Sequence, residues 1–241
     1  MIHVNKDIVQ IDLVRFGNAF KNNPAQNVIP EQNFIALIEN WENETCFSRL
    51  VVYNSNQKEE LGDVFYFGNF EAADSKSGEE VLGFALDFIK EKNAKSKVIG
   101  PLNGNTWLPY RFALSEDVLP FENDVNSSLF YIDVWRSLGF SSLENYATYL
   151  IRELTSWDIK QDEYDIAYFS EKEFNNRMDE IYNLTIDSFS KAPFFSPISY
   201  EVFVHAQVKN VDFLHLTPFI LDKNRAICGY ALCYPDLKKE N

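Results

Sequence analysis

The chain is poor in the residues that most often carry chemistry. It has three cysteines and three histidines in 241 residues. Cys46, Cys228 and Cys233 are an odd, sparse set, which fits a reducing compartment better than a disulfide framework. Cys228 and Cys233 lie five apart in a strand-like run, so they point to opposite faces and form no ligand pair. There is no CxxC and no HExxH, and His3, His205 and His215 are scattered. The expectation is no metal site built by the protein alone. Positive charge is also short: 22 Lys and Arg face 36 Asp and Glu, a formal net charge of −14. Binding to nucleic acid or to an anionic membrane needs positive charge that displaces counterions, so neither is expected as a partner. A small anionic ligand remains open, because local charge and backbone dipoles decide that. No apolar run approaches the roughly 18 residues of a membrane span. The opening MIHVNKDIVQIDLVRF is interrupted by Lys6, Asp7, Asp12 and Arg15, so it has no signal-peptide core. The expected location is cytoplasmic.

What is present suits a globular fold. Apolar residues make up 46% and charged residues 24%, with 21 Phe and 12 Tyr to fill a core. One large or two small domains fit this length. Val9, Leu13, Phe16 and Phe20 share one helical face over 8–20, although Val9, Ile11 and Leu13 also alternate like a strand. NFIALIEN (33–40), CFSRLVVYNS (46–55) and LGDVFYFGNFEA (61–72) read as an antiparallel meander. A helix over 33–45 is the competing reading of the first. Ser77 and Glu80 fit a capping box, followed by the stripe Val81, Leu82, Ala85, Phe88 and Ile89. Asn93 ends that helix and Lys97, Val98 and Ile99 begin a strand, so 61–99 is a strand–helix–strand crossover. GPLNGNTWLPYR (100–111) is a loop. A helix over 127–138 runs to Gly139, a C′ glycine. Residues 140–151 suit a strand, and the polar 153–163 suit a linker. Beyond it come a strand (164–170), a helix (171–189), a helix (196–209) with Ser196 and Pro197 at its start, and strands over 213–222 and 225–236.

These residues resemble a known family. FYFGNFEA, a following helix, VIGPLNGNTWLPYR and a helix running into LGF are similar to the GNAT-type N-acyltransferases. The likeness is to a bacterial group with an FGxFE strand and a GPxNGxTWxxYR loop. LVRFGNAFKNNPAQNVIP resembles that group's lead-in. SFSKAPFFSPISYEVF with ILDKNRAICGYALCYPD resembles the beginning of a second GNAT-like module. The resemblance covers nearly the whole chain. It implies a mixed α/β fold, with one GNAT-like module over 1–152 and a second, partial one over 164–241. It also implies acetyl-CoA as acyl donor. In such a fold two parallel strands splay, here 63–72 and 97–100, and the opened backbone pairs with a pantetheine arm. Phe70, Glu71 and Ala72 would then meet pantetheine. Lys76, Ser77 and Gly78, in the loop 73–78 before the helix, would face the phosphates. Asn103 would lie near the cofactor, and Trp107, Tyr110 and Arg111 would line the acceptor pocket.

Two departures from that family's pattern bear on activity. The usual phosphate loop carries Gln/Arg-x-x-Gly-x-Gly/Ala, whereas AADSKSGEEV has one glycine and adds Asp74, Glu79 and Glu80. Acidic groups beside a pyrophosphate cost Coulomb energy, and Lys76 offsets only part of it. The family's tyrosine, the acid to the leaving thiolate, is placed four residues before the glycine of LGF. Here that residue is Trp135, and Tyr131, one turn earlier, is the nearest substitute. After CYPDLKKEN no further phosphate loop or crossover helix follows, so the second module is either naturally shortened or part of a longer protein.

Each candidate has a plain alternative. Glu71 is a general base or a solvated strand-end carboxylate. Trp107, Tyr110 and Arg111 form an acceptor pocket or an aromatic-anchored loop. Arg49 holds an anion or sits on an exposed strand face. The acidic excess favours a cationic acceptor amine or only confers solubility. The residues therefore leave two readings. One is an N-acyltransferase acting on a small amine, with Glu71 and Tyr131 as catalytic acid–base groups. The other is a catalytically inactive GNAT-like module that binds an unidentified protein. A third reading, aminoacyl transfer from a charged tRNA by a double-GNAT fold, is disfavoured by the acidity.

Overall fold

The computed structural model describes residues 1–11, 29–55, 63–108, 110–115, 127–147 and 164–235. They fall into two compact units, Met1–Glu144 and Asn145–Asn241, each with its own sheet. The linker expected over 153–163 lies outside the described residues, as does most of the helix expected over 8–20. Of the latter, Ile8–Gln10 form a single 3-10 turn capped by the Asp7 carboxylate, which accepts the Val9 N–H at 3.0 Å.

The first unit is a mixed α/β structure. Its strands are β1 (Ile2–Asn5), β2 (Phe34–Glu42), β3 (Thr45–Asn54), β4 (Val64–Ala72) and β5 (Lys97–Ile99), side by side in that order. β1 to β4 pair antiparallel, and β5 alone runs parallel, to β4. The meander expected over 33–72 is present, the helix alternative over 33–45 is not, and β1 was not expected. Between β4 and β5 runs α1 (Ser75–Lys92), and α2 (Phe130–Ser137) follows.

One face of the sheet carries Ile38, Leu50, Val52, Phe65, Phe67, Phe70 and Ala72. It packs on Val81, Leu82, Ala85 and Ile89 of α1 and on Tyr131, Val134 and Trp135 of α2. Each fully buried side chain of this size contributes roughly 1.5–3 kcal/mol through removal from water. This is the physical basis of the α1 stripe. Gly78 lets the first turn of α1 press in, because a Cβ there would meet Ala72 Cβ at 3.2 Å and Val134 Cγ1 at 3.3 Å.

The start of α1 differs from the expected capping box. Asp74, in extended geometry, is the N-cap, and its Oδ1 accepts the Ser77 N–H at 2.7 Å. Ser77 is already helical, and its hydroxyl donates to the carbonyls of Phe47 and Asp74, both at 3.1 Å. Glu80 turns to the Asn40 amide at 2.8 Å instead of back to the cap. α2 begins at Phe130, three residues later than expected. Gly139 follows it with φ +91°, the left-handed conformation a C′ glycine supplies. No strand forms over 140–147, where Leu143 and Tyr146 are exposed, so the apolar run there did not find a partner strand.

The second unit has β6 (Asp165–Ala167), α3 (Glu171–Asn176), α4 (Met178–Phe189), α5 (Tyr200–Gln207), β7 (Phe219–Leu221) and β8 (Ile227–Tyr230). Its sheet is antiparallel in the order β6-β7-β8. The single helix expected over 171–189 is broken at Arg177, whose guanidinium binds the Glu180 carboxylate and the Arg225 carbonyl. The helix expected over 196–209 starts at Tyr200. Pro197 therefore does not open it, and the Ser199 hydroxyl, not that of Ser196, accepts a first-turn N–H, from Val202. Val208–Leu216 continue as 3-10 helix, which takes the first part of the strand expected over 213–222. Phe169 stacks on Phe219 in the core, beside Phe174.

Candidate active site

A β-bulge in β4 sets the site. From Arg49 to Val51 β3 advances two residues, while from Glu71 back to Gly68 β4 advances three. Asn69 takes up the extra residue with φ +49°, a conformation asparagine tolerates better than most residues. The extra residue reverses the alternation. Phe65 and Phe67 face the helices before it, and Phe70 and Ala72 face them after it. Glu71 is thereby turned to the opposite face of the sheet, directly across from Arg49 on β3. Glu71 is not a solvated strand-end carboxylate: it is 6% exposed. Arg49 is not on an exposed strand face either, being 0% exposed. Burial lowers the Arg49 pKa, and the negative charge of Glu71 opposes that most strongly.

The free edge of β4 is served in three steps. β5 pairs with Val64–Tyr66 and ends at Ile99. The chain beyond it stays close: Leu102 N–H donates to Phe67 O at 2.8 Å, and Asn69 N–H donates to Asn103 Oδ1 at 2.6 Å. A Cβ on Gly68 would lie 2.3 Å from Leu102 O, so only glycine fits that approach. At Ala72 the edge is closed by a side chain. Tyr131 Oη accepts the Ala72 N–H at 3.0 Å and donates to Glu71 Oε2 at 2.7 Å. Tyr131 is 5% exposed. Burial first, and then the Glu71 charge, push its phenol far above the ordinary tyrosine range. It is therefore a protonated hydrogen-bond donor at neutral pH.

Six of the expected cofactor residues thus have defined places. Phe70 packs edge-on against Tyr131, Trp135 and Phe112 in the core. Ala72 presents its backbone to the β4 edge. Asn103 is buried and bonded to the bulge. Ser77 and Gly78 are buried in the first turn of α1, one hydrogen-bonded and one packed. Lys76 is the exposed member, its side chain 87% accessible and 4.0 Å from Glu80. The Asp74 carboxylate already lies on the N-terminus of α1, and the Ser77 N–H it accepts lowers its pKa. Trp135, 4% exposed, presses its ring against Gly100, and among the described residues its indole N–H has no hydrogen-bond partner.

In the loop, Gly104 (φ +78°) packs on Tyr53, and Trp107 N–H is held by Asn105 Oδ1 at 2.9 Å. Arg111 lies over the Tyr110 ring, 5.6 Å from its centroid. All three of Trp107, Tyr110 and Arg111 are half-buried. The structure also brings in residues that the sequence did not single out. Tyr53 is buried and donates its hydroxyl to Asn69, and burial raises its pKa. With Asn103 it fixes the bulge from both sides. Among the described residues no group of three or more His, Cys, Asp or Glu gathers as a metal site would.

No protein-family model matches this chain, and no curated protein matches it. Among solved structures it is similar to an aminoglycoside acetyltransferase from an uncultured soil metagenomic sample, crystallised with trehalose. That match has 15% identity and a TM-score of 0.37, and it covers 64% of this chain and 96% of the other. It is also similar to a probable acetyltransferase, at 10% identity and a TM-score of 0.36, covering 65% of this chain and 99% of the other. No helix among the described residues is long and apolar enough to cross a membrane.

Proposed function

We propose that the first unit is an acyl-CoA-dependent N-acyltransferase of GNAT type, cytoplasmic, moving an acetyl group from acetyl-CoA to a small amine. The observation that carries this reading is the contact of Tyr131 Oη with both the Ala72 N–H and the Glu71 carboxylate at the edge of β4. The backbone of Ala72 there already holds one hydrogen-bonding group, and an amide of a pantetheine arm would take the same place once Tyr131 swings off it. The exposed Lys76 and the first turn of α1 would carry the pyrophosphate. The bound thioester would supply the acyl carbon. Trp107, Tyr110 and Arg111 would line the way in for the acceptor, for which a cation suits the net negative charge.

The proton chemistry follows from the coupling between the two side chains. A thiol ordinarily titrates near 8.5, far below a phenol raised by burial and a neighbouring anion. Tyr131 is therefore a poor acid while Glu71 is charged. Glu71 first takes a proton from the acceptor ammonium and becomes neutral. That removes the anion beside Tyr131 and readies its hydroxyl to protonate the departing thiolate. Glu71 then returns its proton to Tyr131, and the second nitrogen proton leaves to solvent.

A second reading, a GNAT-like module that binds a partner protein without catalysis, is favoured by one specific observation. The Asp74 carboxylate occupies the N-terminus of α1, where a pyrophosphate would need to lie. We read 164–241 as the beginning of a second GNAT-like module, on sequence resemblance alone. Calorimetry with acetyl-CoA separates the first two readings. The acyltransferase binds it, and Lys76→Glu weakens binding by adding negative charge beside the phosphates. Parental affinity in that variant places the donor elsewhere, and no heat in the parent favours the binding module.

A further inference from the structure

Arg49 is buried at the centre of the site, yet neither acid–base role uses it. A guanidinium wholly out of water is costly unless anions face it. The sheet supplies them by register. Glu39 on β2 and Glu71 on β4 are the residues directly across from Arg49 on its two sides. Directly opposed residues of an antiparallel ladder share a face, with Cβ atoms roughly 4.5–5.5 Å apart. His3 on β1 lies across from Glu39, so the row His3, Glu39, Arg49, Glu71 crosses four strands from an exposed end to a buried one. At the buried end Glu71 accepts the Tyr131 hydroxyl. Among the described residues, the titratable groups that interact electrostatically with Arg49 are Glu71, Cys46, Glu39, Tyr131 and Tyr53.

We propose that Arg49 is a positioning residue: it holds Glu71 as an anion, with one oxygen aimed at Tyr131 and ready to take the acceptor's proton. This rests on the acyltransferase reading of the site. The physical reason is burial. A carboxyl group at the bulge, beside Phe70 and away from water, favours its neutral form, and a neutral Glu71 can neither take a proton nor orient Tyr131. A facing guanidinium reverses that preference. An ammonium supplies the charge without the planar fork that fixes direction.

The test compares the parent with Arg49→Met, Arg49→Gln and Arg49→Lys, using acetyl-CoA and a panel of primary amines. Expected in the neutral variants is a loss of kcat of about 100-fold, the scale of a misplaced catalytic group, with the KM for acetyl-CoA little changed. The acid limb of their pH–rate profile moves to higher pH. Arg49→Lys restores the parental profile and part of the kcat. A second readout needs no turnover: the hydroxyl proton of Tyr131, followed by NMR and assigned by its loss in Tyr131→Phe. It shifts in both neutral variants. Parental kcat, profile and hydroxyl resonance in a folded Arg49→Met or Arg49→Gln would overturn the proposal. If neither folds, Arg49→Lys tests the fork alone: full parental kcat together with an unshifted resonance overturns the proposal, and a partial kcat with a shifted resonance supports it. If the parent acetylates no amine, the acyltransferase reading fails and the resonance alone judges Arg49: a shift supports its hold on Glu71, no shift refutes it.

Discussion

Replacing Tyr131 by phenylalanine removes one oxygen and breaks two contacts. The hydroxyl donates to the Glu71 carboxylate at 2.7 Å and accepts the Ala72 N–H at 3.0 Å, all within the core. A hydrogen bond to a charged group contributes about 1.5–3 kcal/mol, and a buried N–H left without a partner costs about 1–3 kcal/mol. Tyr131→Phe should then destabilise the first unit by about 3 kcal/mol, a large share of the roughly 5–15 kcal/mol that holds a typical domain. The midpoint of thermal unfolding should fall by about 10 °C for a unit of this size. Three of the four tryptophans, Trp41, Trp107 and Trp135, lie in this unit, so their fluorescence during urea unfolding follows it. Pairing the change with Glu71→Gln in a double-mutant cycle isolates the shared contact, and a coupling of about 1–2 kcal/mol is expected. If Tyr131→Phe costs less than about 0.5 kcal/mol and adds independently to Glu71→Gln, the hydroxyl does not bridge the two groups and the site as described is wrong.

Three further outcomes follow from the geometry. Gly68→Ala places a methyl 2.3 Å from Leu102 O and 2.7 Å from Asn103 Cα, both backbone. It should cost about 1–3 kcal/mol by overpacking and weaken the hold of Asn103 on the bulge, measured by urea unfolding. Asp74→Ala removes the cap of α1 and should cost about 1 kcal/mol of stability. The Asp74 pKa is lowered in the fold, so this contribution is present above the unfolded value and lost as pH falls through the folded one; the parent and Asp74→Ala should converge in stability at acid pH. The same change, and the cap-preserving Asp74→Asn, should tighten acetyl-CoA binding if the phosphates approach this helix end, and calorimetry checks the sign.

Much of the first unit was legible because period and chemistry agreed there. The β-favouring runs of β2 to β4 and the apolar stripe of α1 marked those elements, and the sheet face toward α1 packs on that stripe; β4 is buried along its whole length. Gly139 stands where a helix must end in left-handed geometry. The α1 cap was misread because Asp74 and Ser77 are both good capping residues, and only the extended backbone at Asp74 decides between them. The strand expected over 140–151 does not form in its described part, 140–147, because apolar content says nothing of a partner strand. Glu71 and Tyr131 were singled out from the resemblance, but their contact was not visible: they lie 60 residues apart, joined only through the fold. Arg49 was singled out as an anion holder or an exposed strand residue, but its burial opposite Glu71 was not foreseen. Burial of a charge within a strand follows from the bulge that turns Glu71 toward it, and the signal for that was weak. Gly68 and Asn69 are the two residues in FGNFE that tolerate a left-handed backbone, and Asn69 is the one that adopts it.

The most direct test of the central claim is thiol release from acetyl-CoA by the 241-residue chain, with and without a panel of small primary amines. Expected is amine-dependent release that falls about 10²–10⁴-fold in Glu71→Gln, the usual worth of a general base, while calorimetry finds acetyl-CoA bound as tightly as by the parent. Release that is equal in the two proteins, or no release from a parent that binds acetyl-CoA with any amine on the panel, contradicts the claim.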